Sequence, residues 1–163
     1  IPAFSAKKYS VSVLGEYKDG YYYLTARAGE VIEVKLDMSP KLNRANSRVA
    51  KDSGMGAVTV GPVVYCAEGA DNGGDVFSFS VDGSALQLNR ETPAELGGFA
   101  PAADDLGKIY TVTAGGTRLV QDDPDALYFT DGYREEAAEV KLIPYFMWGN
   151  RGINQMRVWI PVK

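Results

Sequence analysis

The sequence contains no histidine and a single cysteine, Cys66. The lack of histidine excludes Ser-His-Asp and Cys-His catalysis and removes the commonest protein ligand for transition metals. One cysteine cannot form an internal disulfide or a zinc site built from several cysteines. The composition therefore excludes most kinds of self-contained hydrolase and metalloenzyme site.

Long apolar runs and blocks of positive charge are missing as well. No apolar stretch approaches the roughly 20 residues that a membrane-spanning helix needs. The net charge is −4, from 17 Lys and Arg against 21 Asp and Glu. We therefore expect no nucleic-acid partner and no membrane partner. Because the chain opens Ile1-Pro2-Ala3 without a start methionine, we also expect it to be a piece of a longer protein.

Alternation of apolar and polar residues is the main pattern that is present. It runs through residues 9–13, 32–36, 77–81, 86–88 and 156–160, and no apolar stripe has helical spacing. Glycine-rich turn signals separate these runs, and Asp82-Gly83 is predicted to form a two-residue hairpin turn. The pattern predicts an all-β fold of two antiparallel, jelly-roll-like β-sandwich units with little or no helix.

The glycine-rich stretch 70–75 marks the predicted break between the two units. Residues 1–72 are assigned to part of a first β-sandwich and residues 73–163 to a second. The segment 91–106, with two prolines and several alanines, is expected to be irregular with at most a short helical turn.

Two stretches have the character of family signatures rather than of generic strands. The first is 60–72 and the second is 143–152, and the chain opens on a third short element, Ile1-Pro2-Ala3-Phe4. All three resemble, in the same order, the C-terminal part of glycoside hydrolase family 127, the β-L-arabinofuranosidase group, whose opening element reads IPAW. The residues of the two signatures that we single out as structural are Tyr65, Glu68, Asp71, Asn72, Tyr145, Trp148, Asn150 and Arg151.

The resemblance implies that the chemistry lies outside this chain. Members of the family have an N-terminal helical barrel followed by two β-sandwiches, and the barrel uses a cysteine nucleophile in a zinc site. That nucleophile lies in a Cys-Cys pair, which this chain lacks, so no catalytic, cofactor-binding or metal residue carries over. The resemblance implies a non-catalytic region of a bacterial hydrolase of plant glycans, with the missing barrel as its partner and zinc only in that barrel.

Exposed aromatic residues leave a second function open, that of an autonomous carbohydrate-binding module. Tyr21, Tyr22 and Tyr23 must divide between the two faces of a strand, and exposed rings among them, or at Trp148 and Trp159, could stack on sugars. The same rings could instead dock on the missing barrel, because tyrosine is common at interfaces. If the barrel covers one face, this chain alone exposes apolar surface.

Acidic residues leave an independent hydrolase as the weakest alternative. Glycoside hydrolysis needs two carboxylates about 5–10 Å apart, and the candidate pairs are Glu68 with Asp71 and Glu135 with Glu136. Neighbours on a strand face opposite ways, which disfavours the second pair. The acidic loops 71–75 and 122–125 could hold calcium, although Asp, Asn and Gly also suit plain turns.

Two further residues carry specific expectations. Cys66 follows an apolar strand, 63–65, and is expected to be a buried structural thiol. Arg151 lies in a turn inside the second signature, while the first signature holds two carboxylates. We therefore hypothesise that the signatures pack together, with Arg151 bound to Glu68, Asp71 or nearby carbonyls.

Overall fold

The computed structural model describes residues 1–91 and 109–163, and the sequence interpretation of 91–106 lies almost wholly outside them. In the described residues the regular secondary structure is nearly all strand, with only single-turn 3-10 helices, so the predicted all-β fold is confirmed. None of these helices is long and apolar enough to cross a membrane. The 3-10 turns are Ala3–Ser5, Ala50–Asp52, Gly69–Asp71 and Tyr145–Met147. The strands are β1 (Tyr9–Val11), β2 (Gly15–Lys18), β3 (Tyr21–Leu24), β4 (Val34–Leu36), β5 (Pro40–Arg44), β6 (Met55–Val60), β7 (Val63–Glu68), β8 (Phe79–Glu91), β9 (Ile109–Gln121), β10 (Tyr133–Pro144), β11 (Met156–Arg157) and β12 (Ile160–Pro161).

The chain divides into two compact units, and the first is Ile1–Ser39. It holds two small antiparallel sheets, in which β1 pairs with β4 and β2 pairs with β3. The β2–β3 turn uses positive φ at Asp19 (52°) and Gly20 (87°), as a two-residue hairpin turn requires. The side chain of Tyr22 donates a hydrogen bond to the carbonyl of Val13 at 3.1 Å.

The second unit, Pro40–Lys163, holds one sheet with the strand order β12-β6-β7-β10-β9-β8. In addition, β5 pairs with β6 and β11 pairs with β7. The sheet curls so that its first and last strands meet. Val162, next to β12, forms a β-bridge with Val81 of β8, and the Lys163 N–H donates to the Val81 carbonyl at 3.2 Å. The break predicted between residues 72 and 73 falls inside this unit, since β7 before it pairs with β10 after it.

Strand alternation sorts the residues of β7 and β10 onto two faces of the sheet. On one face, Tyr65, Ala67 and Leu142 join the main core, a cluster that also includes Val58, Val76, Phe79, Val81, Val112, Ala114, Val140 and Ile160. On the other face, Cys66 lies opposite Ile143 and packs with Ile109 and Met147. Cys66 is fully buried, which confirms the expectation for that thiol. The second face is also the one that carries the polar site described below.

The hairpin turn predicted at Asp82-Gly83 is wrong. β8 continues through both residues, and its register against β9 shifts between Val81 and Leu86. This is a bulge, in which extra residues on one strand oppose fewer on its partner. Next to it, a Cβ on Gly116 would lie 2.0 Å from the Ser80 carbonyl oxygen, so only glycine allows β9 to approach β8 this closely.

Candidate functional site

The last residue of β7, Glu68, is a fully buried carboxylate, with 0% of its surface exposed. Alternation along β7 places it on the same face as Cys66. Its Oε1 accepts hydrogen bonds from the Gly149 N–H at 3.1 Å and from Asn154 Nδ2 at 3.0 Å. Its Oε2 accepts a hydrogen bond from Arg151. The buried charge is therefore fully compensated, which is the condition under which a carboxylate can stay ionised inside a protein.

Arg151 joins the two signature segments. It donates from Nη1 to Asp71 Oδ1 at 2.8 Å and from Nη2 to Asp71 Oδ2, in addition to its bond with Glu68. The paired bonds to Asp71 are the bidentate geometry for which the planar guanidinium is suited. The prediction that Arg151 contacts Glu68 or Asp71 is confirmed, and it contacts both. We call Glu68, Asp71 and Arg151 the carboxylate–arginine cluster.

Asn72 ties the same segment to the neighbouring strand. Its Nδ2 donates to the carbonyl of Glu68 at 2.8 Å and to the carbonyl of Lys141 at 3.0 Å. Its Oδ1 accepts the Lys141 N–H at 2.9 Å. The side-chain amide thus pairs with the backbone of β10 as a strand would, beyond the point where the β7–β10 ladder ends.

A second set of charges extends the cluster across the same face of the sheet. Lys141 Nζ lies 3.7 Å from Asp71 Oδ1 and donates to Glu91 Oε2 at 2.7 Å. The other oxygen of Glu91 accepts the hydroxyl of Thr111 at 2.6 Å. The sequence patterns did not point to Lys141, Glu91, Thr111 or Asn154. Lys141 offered a signal, because a lysine inside an apolar strand needs a partner for its charge.

The remaining signature residues do not join the cluster. Tyr65 is buried in the main core and donates its hydroxyl to the carbonyl of Tyr110 at 2.8 Å. Tyr145 and Trp148 are about half exposed. The Asn150 side chain is exposed, and its backbone N–H donates to the Met147 carbonyl at 3.4 Å. The structure therefore gathers four of the eight signature residues, Glu68, Asp71, Asn72 and Arg151, into one buried arrangement.

The pKa shifts in the cluster follow from burial and pairing. Burial alone would raise the pKa of Glu68, but hydrogen bonds from Asn154, Arg151 and Gly149 outweigh it and hold that pKa below its ordinary value. The bonds to Asp71 and then Glu68 raise the pKa of Arg151. Burial, reinforced by the Glu68 charge, raises the pKa of the Cys66 thiol to about 12. A thiol with such a pKa is no nucleophile at neutral pH.

We expect the second unit to lose stability in acid through Glu68. The folded pKa of Glu68 lies below its unfolded value of about 4.3. Its contribution is therefore complete above that pH and is lost as the pH falls through the lower, folded value. Urea melts between neutral and strongly acidic pH measure this loss, with Glu68→Gln as the comparison because it keeps the shape but cannot titrate. If the unfolding free energy of the parent chain and that of Glu68→Gln fall equally steeply in acid, Glu68 is not the source of the loss. Other carboxylates contribute equally to both proteins and do not affect this comparison.

The glutamates of β10 make separate contacts. Glu135 pairs with Lys163, and Glu136 Oε1 accepts a hydrogen bond from Arg134 Nε at 2.8 Å. Both glutamates are exposed. Because adjacent strand residues face opposite ways, the two carboxylates do not flank a common space.

The acidic loops use their carboxylates to close turns. Asp75 Oδ1 accepts the Phe77 N–H at 2.9 Å, and Asp123 Oδ1 accepts the Asp125 N–H at 3.0 Å. Both are the two-residue side-chain-to-backbone bonds of Asx turns. Across residues 1–91 and 109–163, no group of three or more His, Cys, Asp and Glu side chains is arranged to hold a metal ion.

Comparisons with known proteins agree with this architecture. Residues 40–161 match the family model described as the glycoside hydrolase family 127 C-terminal domain, and this range nearly coincides with the second compact unit. A non-reducing end β-L-arabinofuranosidase of Bifidobacterium longum subsp. longum is 38% identical over 169 aligned positions, which cover 98% of this chain and 25% of the relative. The chain thus spans about a quarter of the length of that curated relative.

Solved structures of similar proteins cover nearly all of the chain. A GH127 β-L-arabinofuranosidase of Geobacillus stearothermophilus T6 matches with a TM-score of 0.79 and 25% identity, over 100% of this chain and 26% of that one. A second structure, of a GH127 β-arabinofuranosidase, matches with a TM-score of 0.70 and 32% identity, over 95% of this chain and 23% of that one.

Proposed function

This chain belongs to the glycoside hydrolase family 127 C-terminal domain family, and on that premise we propose that it is a non-catalytic, structural region of a larger arabinofuranosidase-type hydrolase of plant glycans. The relative from Bifidobacterium longum, named for that activity, is about four times as long as the part that this chain matches. The remaining three quarters of such a protein is where we place the catalytic site.

The observation that carries the proposal is the buried state of the signature carboxylates. Glu68 is inaccessible to a substrate, and both Glu68 and Asp71 are bound to Arg151. A glycosidase acid needs a raised pKa and contact with the leaving oxygen, whereas the pKa of Glu68 is lowered. The signature therefore supports a role in holding two chain segments together, rather than a role in bond cleavage.

We place the docking contact to the catalytic part of the parent at the tip of the β9–β10 hairpin. Val120 and Gln121 pair with Arg134 and Tyr133, so the end of the hairpin is two-stranded in the described sheet. Two-stranded hairpins are marginally stable in water. The loop that connects β9 to β10 exposes two large apolar side chains, Leu127 at 87% and Tyr128 at 95%. Such an apolar tip suits a covering protein surface.

The proposal predicts that this chain alone does not hydrolyse arabinofuranosides. A chromogenic arabinofuranoside is incubated with the purified chain, and the full-length Bifidobacterium relative serves as the positive control. Turnover by this chain that disappears in Asp71→Asn would contradict the proposal, since Asp71 is the less buried carboxylate of the cluster. Equal residual turnover in the unchanged chain and in Asp71→Asn identifies a contaminating host enzyme.

A further inference from the structure

Tyr145 and Trp148 form a pair of aligned, exposed aromatic rings. Their ring planes differ by 22° and their centroids lie 6.3 Å apart. The two residues are three apart across the 3-10 turn Tyr145–Met147, a spacing at which side chains in such a turn eclipse one another. Tyr145 is 47% exposed and Trp148 is 46% exposed. Each ring therefore keeps a large part of its surface in contact with solvent.

The pair is held from both sides by buried structure. Before it, Pro144 pairs with Tyr65 at the end of the β7–β10 ladder. Between the two rings, Met147 is buried in the cluster with Cys66. After it, the Gly149 N–H is bound by Glu68, within the carboxylate–arginine cluster. Rings fixed in this way lose little conformational freedom when they bind a ligand.

The surroundings of the pair favour a neutral ligand. Arg151, three residues after Trp148, has both terminal nitrogens engaged by Glu68 and Asp71. A tyrosine hydroxyl and an indole N–H add polar edges to the flat apolar faces. Aromatic faces are electron-rich, and the C–H groups on one side of a sugar ring carry partial positive charge, so the two stack while the edges bond hydroxyls.

We propose that Tyr145 and Trp148 form a carbohydrate-binding surface for a neutral, arabinose- or xylose-containing glycan chain. The choice of glycan rests on the proposed function, since the glycan would be the material on which the parent hydrolase acts. The surface holds the glycan while the catalytic part acts elsewhere on it. Tyr145 and Trp148 are binding residues in this assignment, and Glu68 and Arg151 are positioning residues.

Two other exposed aromatic pairs in the part of the chain that the structure describes lack this alignment. Tyr21 and Tyr23, the pair considered for sugar stacking from the sequence, have ring planes 50° apart. Phe129 and Tyr133 have planes 56° apart. The rings of a tilted pair point in different directions, whereas the rings of Tyr145 and Trp148 lie near parallel and each stays about half exposed.

Tryptophan fluorescence and affinity electrophoresis test the assignment on the chain as it stands. In a Trp159→Phe background, Trp148 is the single tryptophan and reports ligand binding directly. Arabinan, arabinoxylan and an unrelated α-glucan are titrated. We expect saturable changes in Trp148 fluorescence with arabinan and with arabinoxylan. We expect Tyr145→Ala, and Trp148→Ala measured by electrophoresis, to lower the affinity about tenfold or more.

Tyr23→Ala is the matched control, because that tyrosine is 58% exposed and belongs to a pair of tilted rings. It should bind glycan as the parent sequence does, and all variants should keep the parent melting curve. No binding of any pentose-containing glycan overturns the inference, as does binding that survives both ring deletions. If the deletions instead change only self-association or dye binding, the surface docks protein and the inference is wrong. None of these results alters the hydrolysis test of the proposed function.

Discussion

Replacing Arg151 with alanine is expected to lower the unfolding free energy of the second unit by about 3–5 kcal/mol. The side chain is 15% exposed and binds Glu68 and Asp71. Its removal leaves the fully buried Glu68 without a cation and leaves Asp71 with only Lys141, 3.7 Å away. Stranded buried charge is one of the few mechanisms that makes a single substitution cost this much.

Urea melts followed by tryptophan fluorescence measure the loss, because Trp148 and Trp159 both lie in the second unit. Arg134→Ala is the matched control. Arg134 also contacts two carboxylates, Asp122 and Glu136, but its side chain is 55% exposed. Its loss should cost less than about 1 kcal/mol. Equal losses in the two variants would mean that burial does not govern the Arg151 cluster.

Arg151→Lys separates charge from geometry. A lysine keeps the positive charge but offers one compact ammonium in place of a planar fork. It cannot reproduce the paired bonds to Asp71 while also reaching Glu68. An intermediate loss is therefore expected, between that of the alanine variant and the unchanged chain.

The β-strand content was predictable because it is a local property. Each alternating run needs one face in a core and one outside, whatever its partner strand is. The runs 9–13 and 77–81 illustrate this, since they contain β1 and the start of β8. The same alternation along β7 and β10 puts Cys66 opposite Ile143 on the second face.

Features that depend on distant partners were not predictable in this way. Asp82-Gly83 has the residues of a hairpin turn, yet β8 bulges there because β9 continues alongside it and Gly116 permits the close approach. The break predicted at residue 72 likewise rested on local glycine content, which does not show that β7 pairs with β10.

The candidate site was partly predictable from charge chemistry. Two carboxylates in one signature and an arginine in the other suggested a pairing, and the structure places Arg151 between Glu68 and Asp71. The partners from other strands were not visible. Lys141 and Glu91 are 50 positions apart, and only the strand order brings them together. Asn154 was missed because an asparagine in a turn ordinarily caps its own backbone.

Asn72→Ala is expected to cost about 3 kcal/mol, at the rate of about 1 kcal/mol for each of three hydrogen bonds. The amide serves three backbone groups, the carbonyls of Glu68 and Lys141 and the N–H of Lys141. Removing it leaves those groups without their partner at a site where the side chain is 6% exposed. Asn43→Ala is the control, because Asn43 also donates two side-chain bonds but is exposed, and its loss should stay under about 1 kcal/mol.

Asn72→Asp gives the sharper test because it changes almost no volume. The new carboxylate can still accept the Lys141 N–H, but its second oxygen replaces a donor that faces two carbonyl oxygens. Glu68 and Asp71 add negative charge close by. The aspartate variant should therefore be at least as unstable as the alanine variant at neutral pH, and it should recover relative to alanine in acid, where a protonated carboxyl donates again. An aspartate variant as stable as the parent sequence at neutral pH would show that the two donated bonds contribute nothing, and that the amide acts only as an acceptor.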